Sequence, residues 1–394
     1  MSQVQGHLDP RFESLRPLFQ SFLDSGEELG ASIAVNLNGE NVVDVWGGYA
    51  DTARTRPWEK DTIANVWSTG KTIIGLIGLI LASQKKLDLD ESVSTYWPEF
   101  AANGKQSVKV RHVMSHTSGV CGWDTPVTIQ ELCEDFEGAA AKLAAQAPWW
   151  EPGTASGYHS LTMGFLVGKL VRCITGTTMK DFLASQVAGP LGADFQFGAK
   201  EEDWHRVSDV VPPPPPPPQP ATSTDTAQGE EAQKSISMRT LVNPMVGATN
   251  ANTEMWRRAE LGAANGHGNA RSVARLLSLV TLGGKDPASG REFLSREIID
   301  RIFEQQCYGT DLVVKQKIRF GIGFGLTGAD TEVHWLPRGR VCFWGGWGGS
   351  IGVMDLDRGI TFAYVMNKMD NVGLGNQRTK AYVKAIYDAL EKAS

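Results

Sequence analysis

Ser68 and Lys71 stand three residues apart at the head of an apolar run over residues 72–82, so on a helix the hydroxyl and the amine share one face a single turn apart. A serine is a weak nucleophile until its proton is taken. An amine kept from water can take it, because burial disfavours the ammonium form and lowers the lysine pKa. The pair marks Ser68 as a candidate acyl-enzyme serine. The spacing alone arises by chance about once in a chain of this length, and Ser83 with Lys86 repeats it. Context separates the two. Ser83 runs into Lys85, Lys86 and Asp88, a solvated helix end, whereas Ser68 opens a helix apolar nearly all round and hence buried.

Two further segments carry groups that chemistry at Ser68 would need. Tyr158 and Ser160 follow the loop-forming stretch Pro152-Gly153-Thr154-Ala155-Ser156-Gly157, which delivers the phenol at the mouth of a helix. Beside an ammonium, a tyrosine loses its proton well below its usual pKa of about 10 and serves as a base. Ser160, two residues on, is placed to hydrogen-bond the lysine. Without such a setting, a tyrosine after a loop anchors it by its hydroxyl. The third segment, Phe343-Trp344-Gly345-Gly346-Trp347-Gly348-Gly349-Ser350-Ile351-Gly352, packs glycines into a strand pattern. Such clusters mark bulges or places where a ligand approaches the backbone, and exposed N–H groups there polarise a carbonyl.

In this order the three segments resemble the serine β-lactamase and penicillin-binding-protein superfamily, most closely its β-lactamase-like carboxylesterases, family VIII. Ser68 to Lys71 matches S-x-x-K, Tyr158 to Ser160 matches Y-x-S, and Trp344 to Gly346 matches W-G-G. His112-Val-Met-Ser-His116-Thr-Ser-Gly-Val120 and Glu151-Pro-Gly153 are similar to further family segments, and the likeness spans nearly the whole chain. The resemblance implies that Ser68 is the nucleophile, that Lys71 and Tyr158 activate it and shuttle protons, with Tyr158 acting as a phenolate, and that the N–H groups of Ser68 and Trp347 form the oxyanion hole. It also places Trp344, Gly345, Gly346 and Ser160 against the substrate. Trp344 fills the slot where β-lactamases and transpeptidases carry Lys or His to hold a substrate carboxylate. A tryptophan cannot pair with a carboxylate. The expected substrates are therefore neutral, hydrophobic small-molecule esters, with β-lactam or D-Ala peptide hydrolysis at most a side activity. Acyl transfer to an alcohol or amine, or a catalytically silent scaffold, remain as alternatives.

Other motifs weigh less. Gly348-Gly349-Ser350-Ile351-Gly352 satisfies G-x-S-x-G, but that nucleophile elbow needs a histidine later in the chain, and the last of the seven is His334. Gly70-Lys71-Thr72 ends like a phosphate-binding loop, yet Asn65 stands where its first glycine belongs. His112 and His116 have the spacing of a zinc helix, but Val113 replaces the required glutamate and Thr117-Ser118-Gly119 breaks the helix, which favours loop capping. No metal or cofactor is expected.

The elements that must position these groups can be read along the chain. Residues 10–29 are helical in period, and 31–36 and 41–47 alternate around Asn38-Gly39, a hairpin signal. After the Ser68 helix, helical patterns dominate residues 87–290, with candidates at 128–145, 161–175, 179–187 and 269–281. Strand signals return at 320–326, 332–336, 341–344, 349–355 and 360–367, and 377–392 closes as a helix. This order yields an α/β (α+β) fold: an antiparallel sheet from both chain ends, flanked by N- and C-terminal helices, with a mainly helical lobe inserted. The resemblance implies the same β-lactamase-like architecture, one unit with an α/β lobe at 1–86 plus 291–394 and a helical lobe at 87–290. Residues 212–218 are seven consecutive prolines opening a strap to residue 231, read as a stiff rod packed on the helical lobe.

With 41% hydrophobic and 21% charged residues, the 394-residue chain is ordinary globular material, and its net charge of −6 leaves no footprint for nucleic acid. The longest apolar run is too short for a bilayer. The first ten residues lack a cationic start and an apolar core, and the five widely spaced cysteines read as reduced, buried thiols, so a cytoplasmic protein is expected. Self-association stays open. Trp67, Trp123, Trp344 and Trp347 lie beside the proposed machinery and offer aromatic walls for an apolar group.

Overall fold

Asn38 and Gly39 both take positive φ (51° and 98°) in the computed structural model, which describes residues 3–215 and 235–393. That is the type I′ geometry a two-residue hairpin demands, and it joins β2 (Gly30–Leu37) to β3 (Glu40–Gly48). β1 (Gln5–Leu8) adds to the outer edge of β3. On the other side β2 pairs with the last strand, β12 (Ile360–Met366), so the two ends of the chain meet at the centre of one sheet. β11 (Ile351–Asp355), β10 (Val341–Gly345), β9 (Gly325–Leu326), β8 (Lys317–Phe320) and β7 (Cys307–Thr310) continue it. The order is β1-β3-β2-β12-β11-β10-β9-β8-β7, antiparallel throughout. A second, three-stranded sheet joins β4 (Ala64–Asn65), β5 (Phe195–Phe197) and β6 (Gly266–Gly268).

Helix Ala270–Thr281 packs across β2, β11 and β12, burying Val273, Leu276, Leu277 and Val280 at helical spacing. α1 (Leu15–Ser25) lies against the closing helix Gln377–Ala393. α2 (Gly70–Ser83) is apolar all round because it is enclosed, by Thr162–Thr175, Ala270–Thr281, Arg296–Arg301 and β10. Its glycines permit that enclosure. A Cβ at Gly75 would stand 2.7 Å from the Gly323 carbonyl oxygen, and one at Gly78 2.7 Å from Met114 Cε.

Several expectations shift for physical reasons. The helix expected at 128–145 splits into Ile129–Glu134 and Phe136–Ala145, because Asp135 leaves the helical region and its carboxylate caps the Gly138 N–H. The strand expected at 320–326 is cut by a turn in which the Gly321 N–H reaches the Phe324 carbonyl, and 332–336 forms turns rather than a strand. Two strands of the small sheet, β5 and β6, lie inside the region 87–290 expected to be mainly helical. The five cysteines are free, but only Cys121 and Cys342 are buried, while Cys173 is exposed. Among the described residues no helix is long and apolar enough to cross a membrane. The proline strap lies outside the described residues beyond Pro215; just ahead of it, Val211 bridges to Lys368 in the loop after β12.

Candidate active site

Ser68 sits in the short helical turn Trp67–Thr69 that leads into α2. Trp67 takes φ 51°, a left-handed backbone uncommon for a bulky residue. Its ring is held against Trp256 and Trp347, with centroids 5.6 and 5.2 Å away, and this packing sustains the bend that turns Ser68 outward. Asn65, just upstream, accepts from Trp256 Nε1 at 3.0 Å and donates to the Ala264 carbonyl at 3.1 Å. It anchors the segment and cradles no phosphate.

Lys71 is 1% exposed, and its Nζ lies 3.1 Å from Ser68 Oγ, 2.7 Å from the Ser160 carbonyl oxygen and 2.8 Å from that of Ala263. Burial pushes its pKa well below the usual lysine value. A neutral amine has two N–H bonds and one lone pair. In that form, with both N–H bonds on the two carbonyls, the lone pair would face Ser68 Oγ. Ser160 thus meets the lysine, as its position suggested, and does so through its main-chain oxygen.

Tyr158 is fixed by its backbone: its N–H donates to Asp311 Oδ1 at 3.0 Å, a carboxylate that also accepts from the N–H groups of Val313 and Val314. His116, at φ 63°, packs its ring edge-on against the phenol at 4.9 Å and accepts the His159 N–H at Nδ1. His112 Nδ1 accepts the Lys109 N–H, so both histidines serve the loop. Trp344 Nε1 donates to Tyr158 Oη at 3.2 Å, while Lys71 Nζ lies over the ring face, 4.8 Å from its centroid. Burial raises the phenol pKa, against the opposing hydrogen bonds of Ser68 and Trp344. This acts against the expected phenolate: desolvation bears on both groups and disfavours the ammonium and the phenolate alike.

The turn between β10 and β11 brings up the third segment. The N–H groups of Gly346, Gly348 and Gly349 donate to the carbonyls of Ser350, Val372 and Gly346, while that of Trp347 finds no acceptor among the described residues. Ser350 is no nucleophile. Its hydroxyl is buried, donates to the Val66 carbonyl at 2.9 Å and lies 2.9 Å from Thr69 Oγ1, so it fastens this turn to the residues on either side of Trp67 and Ser68. Gly346 permits the contact, since a Cβ there would stand 2.4 Å from the Val66 carbonyl oxygen. From below, Asn376 Nδ2 holds the Gly348 carbonyl and Thr379 Oγ1 that of Gly349. None of these clamps carried a signal in the sequence.

A match to the Beta-lactamase family runs over residues 15–385. The chain belongs to that family. It is 33% identical over 375 residues to Esterase/beta-lactamase LipL of Mycobacterium tuberculosis (strain ATCC 25618 / H37Rv), covering 93% of this chain and 83% of that one. The crystal structure of a family VIII carboxylesterase superposes with a TM-score of 0.88 at 34% identity, over 98% of this chain and 100% of the other. A penicillin-binding-protein homologue from Caulobacter crescentus does so with 0.85 at 34% identity, again over 98% and 100%.

In this beta-lactamase family member a cleft of about 680 Å³ opens over Ser68. Tyr158, Ser160, Trp344, Gly345 and Trp347 line it; Gly346 does not, because it faces Val66 and Ser350. Leu161, Leu241, Val246, Val313 and Ile318 also contribute to its lining, as does the loop of residues 371–375. Lys315, Lys380 and Glu332 supply its charged groups. Trp123 lies elsewhere, buried against Phe165 with its indole N–H on the Ala139 carbonyl.

Proposed function

We propose that the chain is a serine hydrolase that cleaves carboxylic esters of hydrophobic small molecules through an acyl-Ser68 intermediate. The carrying observation is the buried Lys71 amine, 3.1 Å from Ser68 Oγ with its other two hydrogen bonds on main-chain oxygens. Lys71 takes the Ser68 proton as Oγ attacks the ester carbonyl, and the N–H groups of Ser68 and Trp347 hold the oxyanion. Tyr158 gives its proton to the departing alkoxide. The phenolate so formed lies beside the Lys71 ammonium and the Trp344 N–H, which stabilise it. It then takes a proton from the water that attacks the acyl group, and Lys71 returns its own to Ser68 Oγ. The names of LipL and of the family VIII carboxylesterase support ester cleavage. Trp344, with its N–H engaged on Tyr158, supports uncharged groups near the serine. Free thiols support a reducing compartment, the cytoplasm.

Hydrolysis of p-nitrophenyl butyrate tests this reading, with its pH dependence as the diagnostic. Protonated Lys71 cannot accept a proton, so kcat/KM rises with pH through a lysine ionisation displaced far below its ordinary value by burial. Because burial holds the phenol above its ordinary value, no loss from Tyr158 sets in before the pH exceeds the usual tyrosine range. Absence of turnover, or a profile that falls across the neutral range, contradicts the proposal.

Ser350→Ala frees the Val66 carbonyl and Thr69 from their tie to the Trp347 turn. Misplacing one oxyanion donor costs about tenfold to a hundredfold in kcat. KM changes little, because the tie lies behind the cleft. Steady-state kinetics with a melting curve checks this; an unchanged kcat removes the clamp from the mechanism.

A further inference from the structure

Four of the five large apolar side chains that stay strongly exposed among the described residues lie in one short stretch: Met238, Leu241, Val242 and Met245, at 40, 45, 48 and 74%. Single exposed apolar residues are ordinary, but a concentration of them marks a surface that takes an apolar occupant. This one adjoins the catalytic cleft. In the helix Ile236–Val242, Ser237, Thr240 and Leu241 turn to the cleft, and Met238 and Val242, four residues apart, form the neighbouring face. Past the helix, Pro244 and Val246 line the cleft again while Met245 between them points to solvent. Leu241 belongs to both surfaces, so the lining of the cleft over Ser68 and the exposed apolar rim meet at this side chain.

We propose that this rim is a subsite for the acyl chain of the ester, which makes medium- and long-chain acyl esters the preferred substrates; the inference rests on the esterase reading above. The acyl group is the part that occupies the cleft through both half-reactions, since the alcohol departs after the first. A chain too long for the cleft then emerges over Leu241 and covers Val242, Met238 and Met245. Burying one methylene completely is worth about fourfold in affinity, and an open rim covers about half of it, so each added methylene brings about twofold.

The test measures kcat/KM for p-nitrophenyl esters from acetate to decanoate, each below its critical aggregation concentration, for the wild type and for Val242→Gln with Met245→Gln. These changes replace exposed side chains by polar ones of similar size, and a melting curve checks folding. In the wild type, kcat/KM rises about tenfold or more from hexanoate to decanoate, and the double variant loses about fivefold or more of that ratio. A flat wild-type series beside brisk butyrate turnover, or an equal rise in the variant, overturns the subsite alone. So does a rise confined to alkyl chains on the alcohol side in a parallel series of alkyl butyrates, or one seen only above the aggregation concentration, which assigns the patch to a lipid surface. If the double variant changes only the sedimentation behaviour, the patch joins two copies of the chain and the subsite is likewise overturned. Absence of butyrate turnover by the wild type contradicts the esterase reading itself and the subsite with it.

Discussion

Ser68→Ala removes ester hydrolysis almost entirely: kcat/KM for p-nitrophenyl butyrate falls by about four to six powers of ten, the range seen when a covalent nucleophile is deleted from a serine hydrolase. The fold survives the change. The Ser68 hydroxyl is half-buried, and the side-chain bonds it loses are those to Lys71 and Tyr158, so the stability cost stays at about 1–2 kcal/mol. Steady-state kinetics and a melting curve on the same sample check both halves of the expectation. The outcome also separates Ser68 from the other serine in a nucleophile-like motif. Ser350 is sealed behind the turn, with its hydroxyl on the Val66 carbonyl, and cannot sustain the reaction in its place.

Lys71→Met is the second large effect. Methionine keeps a flexible, unbranched chain of similar reach in the same apolar channel but has no lone pair to accept the serine proton. Losing a positioned general base costs about two to four powers of ten in kcat. Two opposing terms act on stability. The carbonyls of Ser160 and Ala263 lose their shared donor, at about 1–3 kcal/mol for each buried group left unpaired. Against this, a group whose charged form is strongly disfavoured by burial is gone. The net change is small beside the kinetic one. The diagnostic is the pH profile, since the variant's residual activity no longer shows the rising limb due to the lysine. If that limb persists in Lys71→Met, some other group is the base.

Which parts of this site could be read from the chain follows from how local each interaction is. Ser68 and Lys71 meet because residues three apart on a helix must meet, and the enclosing apolar run announced that the amine would be dry. The phenol of Tyr158 was legible as a residue type after a loop, but the desolvation that acts on it was not. A nearby ammonium argues for a phenolate, whereas the three-dimensional enclosure by His116 and Trp344 desolvates both partners and reverses the direction. The acceptor on Ala263 is a main-chain oxygen 192 positions away, and the Asp311 carboxylate that sets Tyr158 is 153 positions away. Neither has a residue-type signature. The hairpin at Asn38-Gly39, the strands β10 to β12 and the closing helix showed in hydrophobic period and turn chemistry. β4, β5 and β6 did not, because strands of two or three residues are too short to establish a period and draw their stability from the neighbours they pair with.

The shared dependence of the nucleophile and its base is open to one measurement: mass-spectrometric mapping of the adduct left by a fluorophosphonate on the wild type and on Lys71→Met, at equal exposure. The expected result is a single modified serine, Ser68, in the wild type and little or no adduct in the variant over the same time. An adduct on another serine, or equal labelling of Ser68 in both proteins, would contradict an acyl-enzyme mechanism in which the buried amine activates Ser68.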